Sequence, residues 1–339
     1  MPLAERHHLI VESPDALIIG AGLAGLTAAD SLLKAGRSVR IIDKGLGLGG
    51  RLATRRIDEA RLDHGAQFFT VRGDDFRAVV ERAIKEGVVD TWCHGFGQDD
   101  GYPRYYCPDG MTALAKWLAS DLTERGATIE LGIRANALRA DSDLLRATLD
   151  DGSTRDGNDL VVTAPIPQTL ALLDSGEVPL DPSTRSQLEA VDYNATLALL
   201  VTLDGPSNLK PPGGLQRDRT ELFTFIADNA LKGVSDQPAL TFHVSPIVSA
   251  ERWDDEPESI IAELMESAAE FIGEAKVMTV ELKKWRYAGP KNPLADRALN
   301  VATNSTEAGG RIVLAGDAFG GPKVEGAFNS GRAAGELLA

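Results

Sequence analysis

The chain has 339 residues, 43% hydrophobic and 25% charged, which excludes a disordered or low-complexity protein and leaves room for two domains. A formal charge of −15 and a pI of about 4.8 argue against nucleic acid and anionic membranes as partners, so any anionic ligand needs a site working against the global field. Cys93 and Cys107 show no metal spacing; reduced thiols, no metal site and no disulfide staple are expected.

Residues 1–13 read as a polar extension without the basic start and apolar core of a signal peptide, and no apolar run is long enough for a bilayer. A cytoplasmic location is expected. Leu17-Ile18-Ile19 is a short buried strand leading into Gly20-Ala21-Gly22-Leu23-Ala24-Gly25 and a helix to Lys34, with Gly36 as its stop signal. Residues 39–43 form the second strand of a βαβ unit, and residues 44–51 a loop with four glycines. Residues 112–125 carry Leu114, Trp117, Leu118 and Leu122 on one helical face. Residues 128–133 alternate as a strand, and strands at 144–149 and 160–163 flank an Asp151-Gly152 turn. From 165 to about 284, strand-like runs at 197–203, 222–226 and 239–244 and a helix through Ile260, Leu264, Ala268 and Phe271 predict an antiparallel sheet with helices. Residues 311–339 return to the strand, glycine, helix order of the opening.

Three motifs carry chemistry. In Gly20-x-Gly22-x-x-Gly25, the first glycine makes the turn, the second admits a pyrophosphate, and the third lets helix and strand pack closely. The helix start, with Leu23 and Ala24, offers amides and a positive dipole to phosphates, and Asp43 is placed to accept from an adenosine ribose. Next, Gly49-Gly50-Arg51 adds glycines for close approach and an arginine to offset phosphate charge; a solvated basic loop is the competing reading. Last, the strand 311–315 ends in Gly316-Asp317, whose carboxylate suits a ribityl hydroxyl. The following helix has a small-residue face of Gly326, Ala327, Ser330, Gly331, Ala334 and Gly335, expected to approach a flat ligand. Close packing on a sheet would use the same face. Together the motifs point to FAD; candidate contacts also include Lys44, His64, Gly65, Ala66, Gln67 and Ile133.

The segments GAGLAGLTAADSLLKAG, GGRLATRR, LDHGAQFFT, GMTALAKWLA, HVSP, KWRYAGP and GDAFGGPKVEGAFNSGRAAGELL are similar to those of the bacterial renalase-like branch of the FAD-dependent amine-oxidase superfamily. Residues 190–240 match none of its motifs. The resemblance implies an α/β fold: a glutathione-reductase-like FAD-binding Rossmann domain, discontinuous over 14–70, 108–166 and 285–339. An α+β mixed-sheet substrate domain, 71–107 and 167–284, is inserted into it, as in p-hydroxybenzoate hydroxylase. It also implies oxidation of 2- and 6-dihydro isomers of NAD(P) to NAD(P)+, with hydride passing to flavin N5 and O2 giving H2O2. Another amine oxidase or dehydrogenase of the superfamily is the alternative, and a flavin-binding protein with little turnover a third reading.

In this frame His243, Gln67 and Lys323 are the catalytic candidates. His243 faces the nicotinamide or is a core histidine, and Lys323 assists O2 reduction, touches FAD or is a surface lysine. His64, Phe69, Trp285, Tyr287 and Asn329 are the substrate-side candidates; for His64 a hydrogen-bonded structural role is equally open, and for Trp285 and Tyr287 a core aromatic anchor. The expected partners are a small dihydronicotinamide-type substrate and O2, with the protein a monomer or weak homodimer.

Overall fold

The computed structural model describes residues 13–140, 144–301 and 310–339, so the extension lies almost wholly outside the described residues. Strand β1 (Ala16–Ile19) is apolar and buried throughout, as a central parallel strand must be. Its six-stranded sheet runs in the order β17 (Leu299–Val301), β18 (Ile312–Leu314), β11 (Asp159–Val162), β1, β2 (Val39–Asp43) and β7 (Thr128–Leu131). Only the β17–β18 pair is antiparallel. This sheet therefore gathers strands from the beginning, middle and end of the chain.

Side chains alternate across the strands, so Ala16 and Ile18 enter one core while Leu17 and Ile19 enter another. On the first face pack α1 (Leu23–Lys34), α2 (Asp74–Lys85), α3 (Thr112–Glu124) and α8 (Val324–Leu338). The second face is covered by β8 (Ala135–Ala140), β9 (Leu145–Leu149) and β10 (Thr154–Gly157), with α4 (Ile166–Ser175) and α5 (Pro182–Glu189). This corrects the expected division at two points. Phe76, Val80 and Ala83 bury α2 in the first core, and Ile166, Leu173 and Leu188 bury α4 and α5 in the second, although residues 71–107 and 167–284 were expected on the substrate side. The Asp151-Gly152 turn joins β9 to β10, a strand whose polar sequence Thr-Arg-Asp-Gly hides it from a reading by hydrophobicity.

The other large sheet is antiparallel, in the order β13 (Gly214–Gln216), β14 (Phe223–Asp228), β15 (Ala239–Val244), β12 (Tyr193–Leu203) and β16 (Val277–Pro290). Leu197, Leu199 and Val201 of β12 meet Ile260, Leu264 and Ala268 of α7 (Pro257–Ile272), while α6 (Pro246–Glu251) packs beside β12. Two hairpins complete the chain: β3 (Thr54–Ile57) with β4 (Ala60–Asp63), and β5 (Asp90–Cys93) with β6 (Arg104–Tyr106).

Asp63 fastens the first hairpin to the antiparallel sheet. Its carboxylate accepts from Lys232 Nζ at 2.7 Å, Thr54 Oγ1 at 2.6 Å and the Met111 amide at 2.8 Å. Neither Asp63 nor Lys232 has an exposed side chain. A buried ion pair is tolerable only when its remaining hydrogen-bonding capacity is met, as the carboxylate's is here. Cys93 and Cys107 are both free, and burial pushes the Cys107 thiol up to about 12. Among the described residues no helix is long and apolar enough to cross a membrane.

Candidate active site

A cavity of about 1850 Å³ runs between the two large sheets. It exceeds the roughly 300–1,000 Å³ of ordinary ligand sites, which leaves room for more than one drug-sized molecule.

One end is built by the first βαβ unit. The three glycines of the turn divide the work as their spacing predicts. At Gly25 a Cβ would stand 1.9 Å from the Gly20 carbonyl oxygen, so this glycine serves helix–strand packing and does not line the cavity. Gly20 has φ +111° and a Cβ there would strike Thr163 Oγ1 at 2.4 Å. At Gly22 a Cβ would meet nothing nearer than Gly49 O at 4.0 Å. Packing therefore does not require a glycine at 22; open space in front of the α1 amides does. This is the fit a pyrophosphate needs. Leu23 and Ala24 line the same space, and neither α1 nor α8 has a side chain capping its N-terminus.

Gly49 and Gly50 lie over this turn, Gly49 N–H donating to Ala21 O at 3.0 Å. The Asp43 carboxylate accepts from the amides of Ala21 and Gly45, both at 2.6 Å. It thereby shapes the turn while lining the cavity, with lone pairs left for a ribose. Lys44, bonded to Gln168 at 2.9 Å, and Ile133 stand nearby. Arg51 and Asp317 grip each other in a two-pronged pair, Nη2 to Oδ1 at 2.7 Å, and Arg51 also reaches Tyr287 O at 3.2 Å. The pair joins the second motif to the third across 266 positions.

The opposite wall holds most of the substrate-side candidates. His64 stacks on Trp285 with centroids 5.3 Å apart, and its carbonyl accepts from Trp285 Nε1 at 2.9 Å and His243 Nε2 at 3.3 Å. Gln67 donates both amide hydrogens, to Asp63 O at 2.6 Å and Gly65 O at 3.3 Å. Among the described residues its Oε1 and His64 Nδ1 are buried without a partner. Burial pushes both histidines down to about 4, so each ring is neutral at pH 7. Tyr287 packs edge-on to Tyr193, whose hydroxyl burial raises to about 12. Gly65, Ala66, Gly316 and Ala327 also line the cavity, and Lys323 stands exposed at its edge.

Three expectations need correction. Asn329 does not line the cavity: at 100° per residue it lies about 200° around α8 from Ala327. Gly326 does not line it either, because that position packs on the preceding loop, where a Cβ would come 2.2 Å from Gly321 O. The small face of α8 is directed at α1, since a Cβ on Gly331 would lie 2.0 Å from Ala24 O and one on Gly335 would lie 2.4 Å from Ser31 Cβ. Phe69 touches the cavity but is only 3% exposed, its ring packed on Phe76 and Tyr105.

Its neighbour Phe68 belongs to a group the motifs do not reveal. Phe68, Phe225, Phe96 and Trp92 form one aromatic cluster, with Phe68 and Phe225 on the cavity. Trp92 thus joins this cluster. Thr196, Gln216 and Phe225 show that residues 190–240 do wall the cavity. Alternation along β14 was the one signal available for Phe225. Among the described residues, nine basic and three acidic side chains line the cavity, and the carboxylates are all engaged: Asp43 by amides, Asp100 by Arg104, Asp317 by Arg51.

A Rossmann-type sheet, two helix N-termini on one elongated cavity, and a second sheet closing it define a dinucleotide-dependent oxidoreductase. A family model of flavin containing amine oxidoreductase matches residues 89–338, and one of NAD(P)-binding Rossmann-like domains matches residues 18–83. The chain belongs to the flavin-containing amine oxidoreductases and is an FAD-dependent oxidoreductase. It is 25% identical to renalase of Mus musculus over 195 residues, 54% of this chain and 56% of that protein. It is 36% identical to putrescine oxidase of Kocuria rosea over 96 residues, 28% of this chain and 19% of that one. These alignments span little more than half of the renalase and about a fifth of the putrescine oxidase. A solved structure from Exiguobacterium sp. 255-15, described as a protoporphyrinogen oxidase, superposes with a TM-score of 0.69 at 14% identity, covering 95% of this chain and 98% of that one. An oxidoreductase from Methanosarcina mazei gives 0.65 at 14%, covering 94% and 99%. At such identity these two share the fold alone.

Proposed function

We propose that the enzyme oxidises small reduced nicotinamide-type substrates, the 2- and 6-dihydro isomers of NAD(P), to NAD(P)+, with O2 as acceptor and H2O2 as product. The observation that carries this reading is the neutral inner wall. His64, Gln67, His243 and Trp285 offer uncharged groups there, and every carboxylate lining the cavity is already engaged. An alkylammonium substrate calls for an anionic anchor and a proton acceptor. A dihydropyridine calls for neither, because loss of hydride leaves an aromatic cation.

FAD, when bound, supplies a two-electron acceptor that O2 restores. Gly20, Gly22, Leu23, Ala24, Asp43, Lys44 and Gly50 hold its phosphates and adenosine, while Gly316, Asp317 and Ala327 flank its other end. Gln67 and His243 orient the substrate carboxamide, the stacked His64 and Trp285 give its ring a flat wall, and Phe68 and Phe225 exclude water. Lys323 lends positive charge where O2 is reduced. The FAD-binding part is discontinuous in sequence, in the glutathione-reductase manner.

Amine oxidation is the second reading, favoured by the 36% identity to putrescine oxidase. Anaerobic mixing of the FAD-loaded enzyme with each dihydro isomer, and separately with putrescine, decides between them. Rapid loss of the flavin band at about 450 nm with an isomer and none with putrescine is expected. Bleaching by putrescine alone overturns the proposal.

A further inference from the structure

We infer that the cavity mouth carries a second anion subsite, formed by Arg72, Arg77 and Arg104, that binds a phosphate or pyrophosphate group of the substrate. This deepens the proposed function and rests on it for the identity of the substrate.

The starting point is the charge reversal within the cavity, where basic side chains outnumber acidic ones nine to three in a protein of net charge −15. The phosphates of FAD account for one end only, where the glycine turn and the α1 N-terminus lie. Arg72, Arg77 and Arg104 belong to different segments, brought together elsewhere. Residues 68–72 run beside β6, with Phe69 and Tyr105 exchanging backbone hydrogen bonds at 2.9 and 2.8 Å. The Arg104 guanidinium lies 5.9 Å from the centre of the Phe68 ring. Arg77, on the first turn of α2, donates to Arg72 O at 3.4 Å. Arg72 and Arg77 are exposed and Tyr102 beside them is 71% exposed, which puts the cluster at the opening.

The charges there are incompletely met by the protein. Among the described residues Arg72 has no acidic partner, and Arg77 reaches only the exposed Asp74 at 3.7 Å. Arg104 is held by Asp100 at 2.5 Å and by Tyr102 O at 2.6 Å, which fixes its position. Of the neighbouring carboxylates, Asp100 lines the cavity but is engaged by Arg104, while Glu325 and Asp75 do not line it: Glu325 accepts from the amides of Arg72 and Gly73 at 2.9 and 2.6 Å, and Asp75 pairs with Arg332 at 2.9 Å. Planar guanidinium groups that line one opening from neighbouring segments suit the several oxygens of a phosphate. A cationic diamine would be repelled by the same group.

The test uses FAD-loaded enzyme titrated calorimetrically with inorganic pyrophosphate, with flavin absorbance of the filtrate confirming that FAD stays bound. Binding is expected, weakening on going from about 20 mM to about 200 mM salt. It should fall about tenfold in Arg72→Gln/Arg77→Gln, two exposed positions whose change should leave FAD content intact. No binding, or equal binding by the variant, overturns the subsite. Anaerobic reduction by the 6-dihydro dinucleotide and by the matching phosphate-free nicotinamide riboside then separates the two proposals. Faster reduction by the dinucleotide, with the advantage lost in the variant, supports both. Equal reduction by the two overturns the subsite and leaves the proposed function standing. Reduction by neither, with pyrophosphate binding intact, supports the subsite and overturns the nicotinamide reading.

Discussion

His64 and His243 illustrate how position within a cavity wall sets the chemistry of a side chain. Desolvation is the leading cause of the downward shift in both; for His64 the charge of Lys283 adds to it, and for His243 that of Lys232 does. The consequence for stability has a definite sign. Between pH 6.5 and about 4 the unfolded chain binds protons on these histidines and the native chain does not. Stability is therefore complete above pH 6.5, falls as the pH drops towards 4, and levels off below it. For His243 the loss is on the order of 1–3 kcal/mol. Urea unfolding at pH 7.5 and pH 5 should show a smaller loss in His243→Gln than in the parent. An identical loss in both would show that the ring titrates as freely in the native protein as in the unfolded chain.

Helices α1 and α8 form the closest helix pairing of the first core, and glycines make it possible. Gly331→Leu should force α8 away from Ala24, whose residue also lines the cofactor end of the cavity. We expect a loss on the order of 3 kcal/mol in stability and a lower ratio of flavin to protein absorbance after gel filtration. Retention of full FAD content would separate the helix pairing from the cradle. What the sequence discloses at this scale follows from whether a signal is local. The turn at Gly20–Gly25, the strand before it and Asp43 lie within one βαβ unit, so spacing alone identifies them. The small face of α8 is visible as a pattern, yet its partner is chosen by a helix some 300 residues earlier. Asp63 and Lys232 are 169 positions apart and neither has a distinguishing neighbourhood. The Phe68 cluster is likewise assembled from β5, β14 and two loops. Hydrophobic content marks its members as core and says nothing of which ones reach a cavity.

Across the whole molecule, Arg51 and Asp317 form a charged link between early and late segments of the chain that line the cavity. Each partner is costly to leave alone in a half-buried site, so Arg51→Ala and Asp317→Ala should each lower thermal stability and FAD retention. The double variant should lose less than the sum of the two, with a coupling of about 1–3 kcal/mol. Additive losses in melts of the four proteins would mean that the two groups act independently. The same arrangement also bears on synthesis. The proposed FAD cradle begins with residues 19–24, and Gly316, Asp317 and the start of α8 line the same cavity from the far end of the chain. A chain growing from the ribosome must therefore carry an unfinished pocket until residues 316–327 have emerged. Flavin capture then waits on these later segments, and a chain lacking them would lack one side of the proposed cradle.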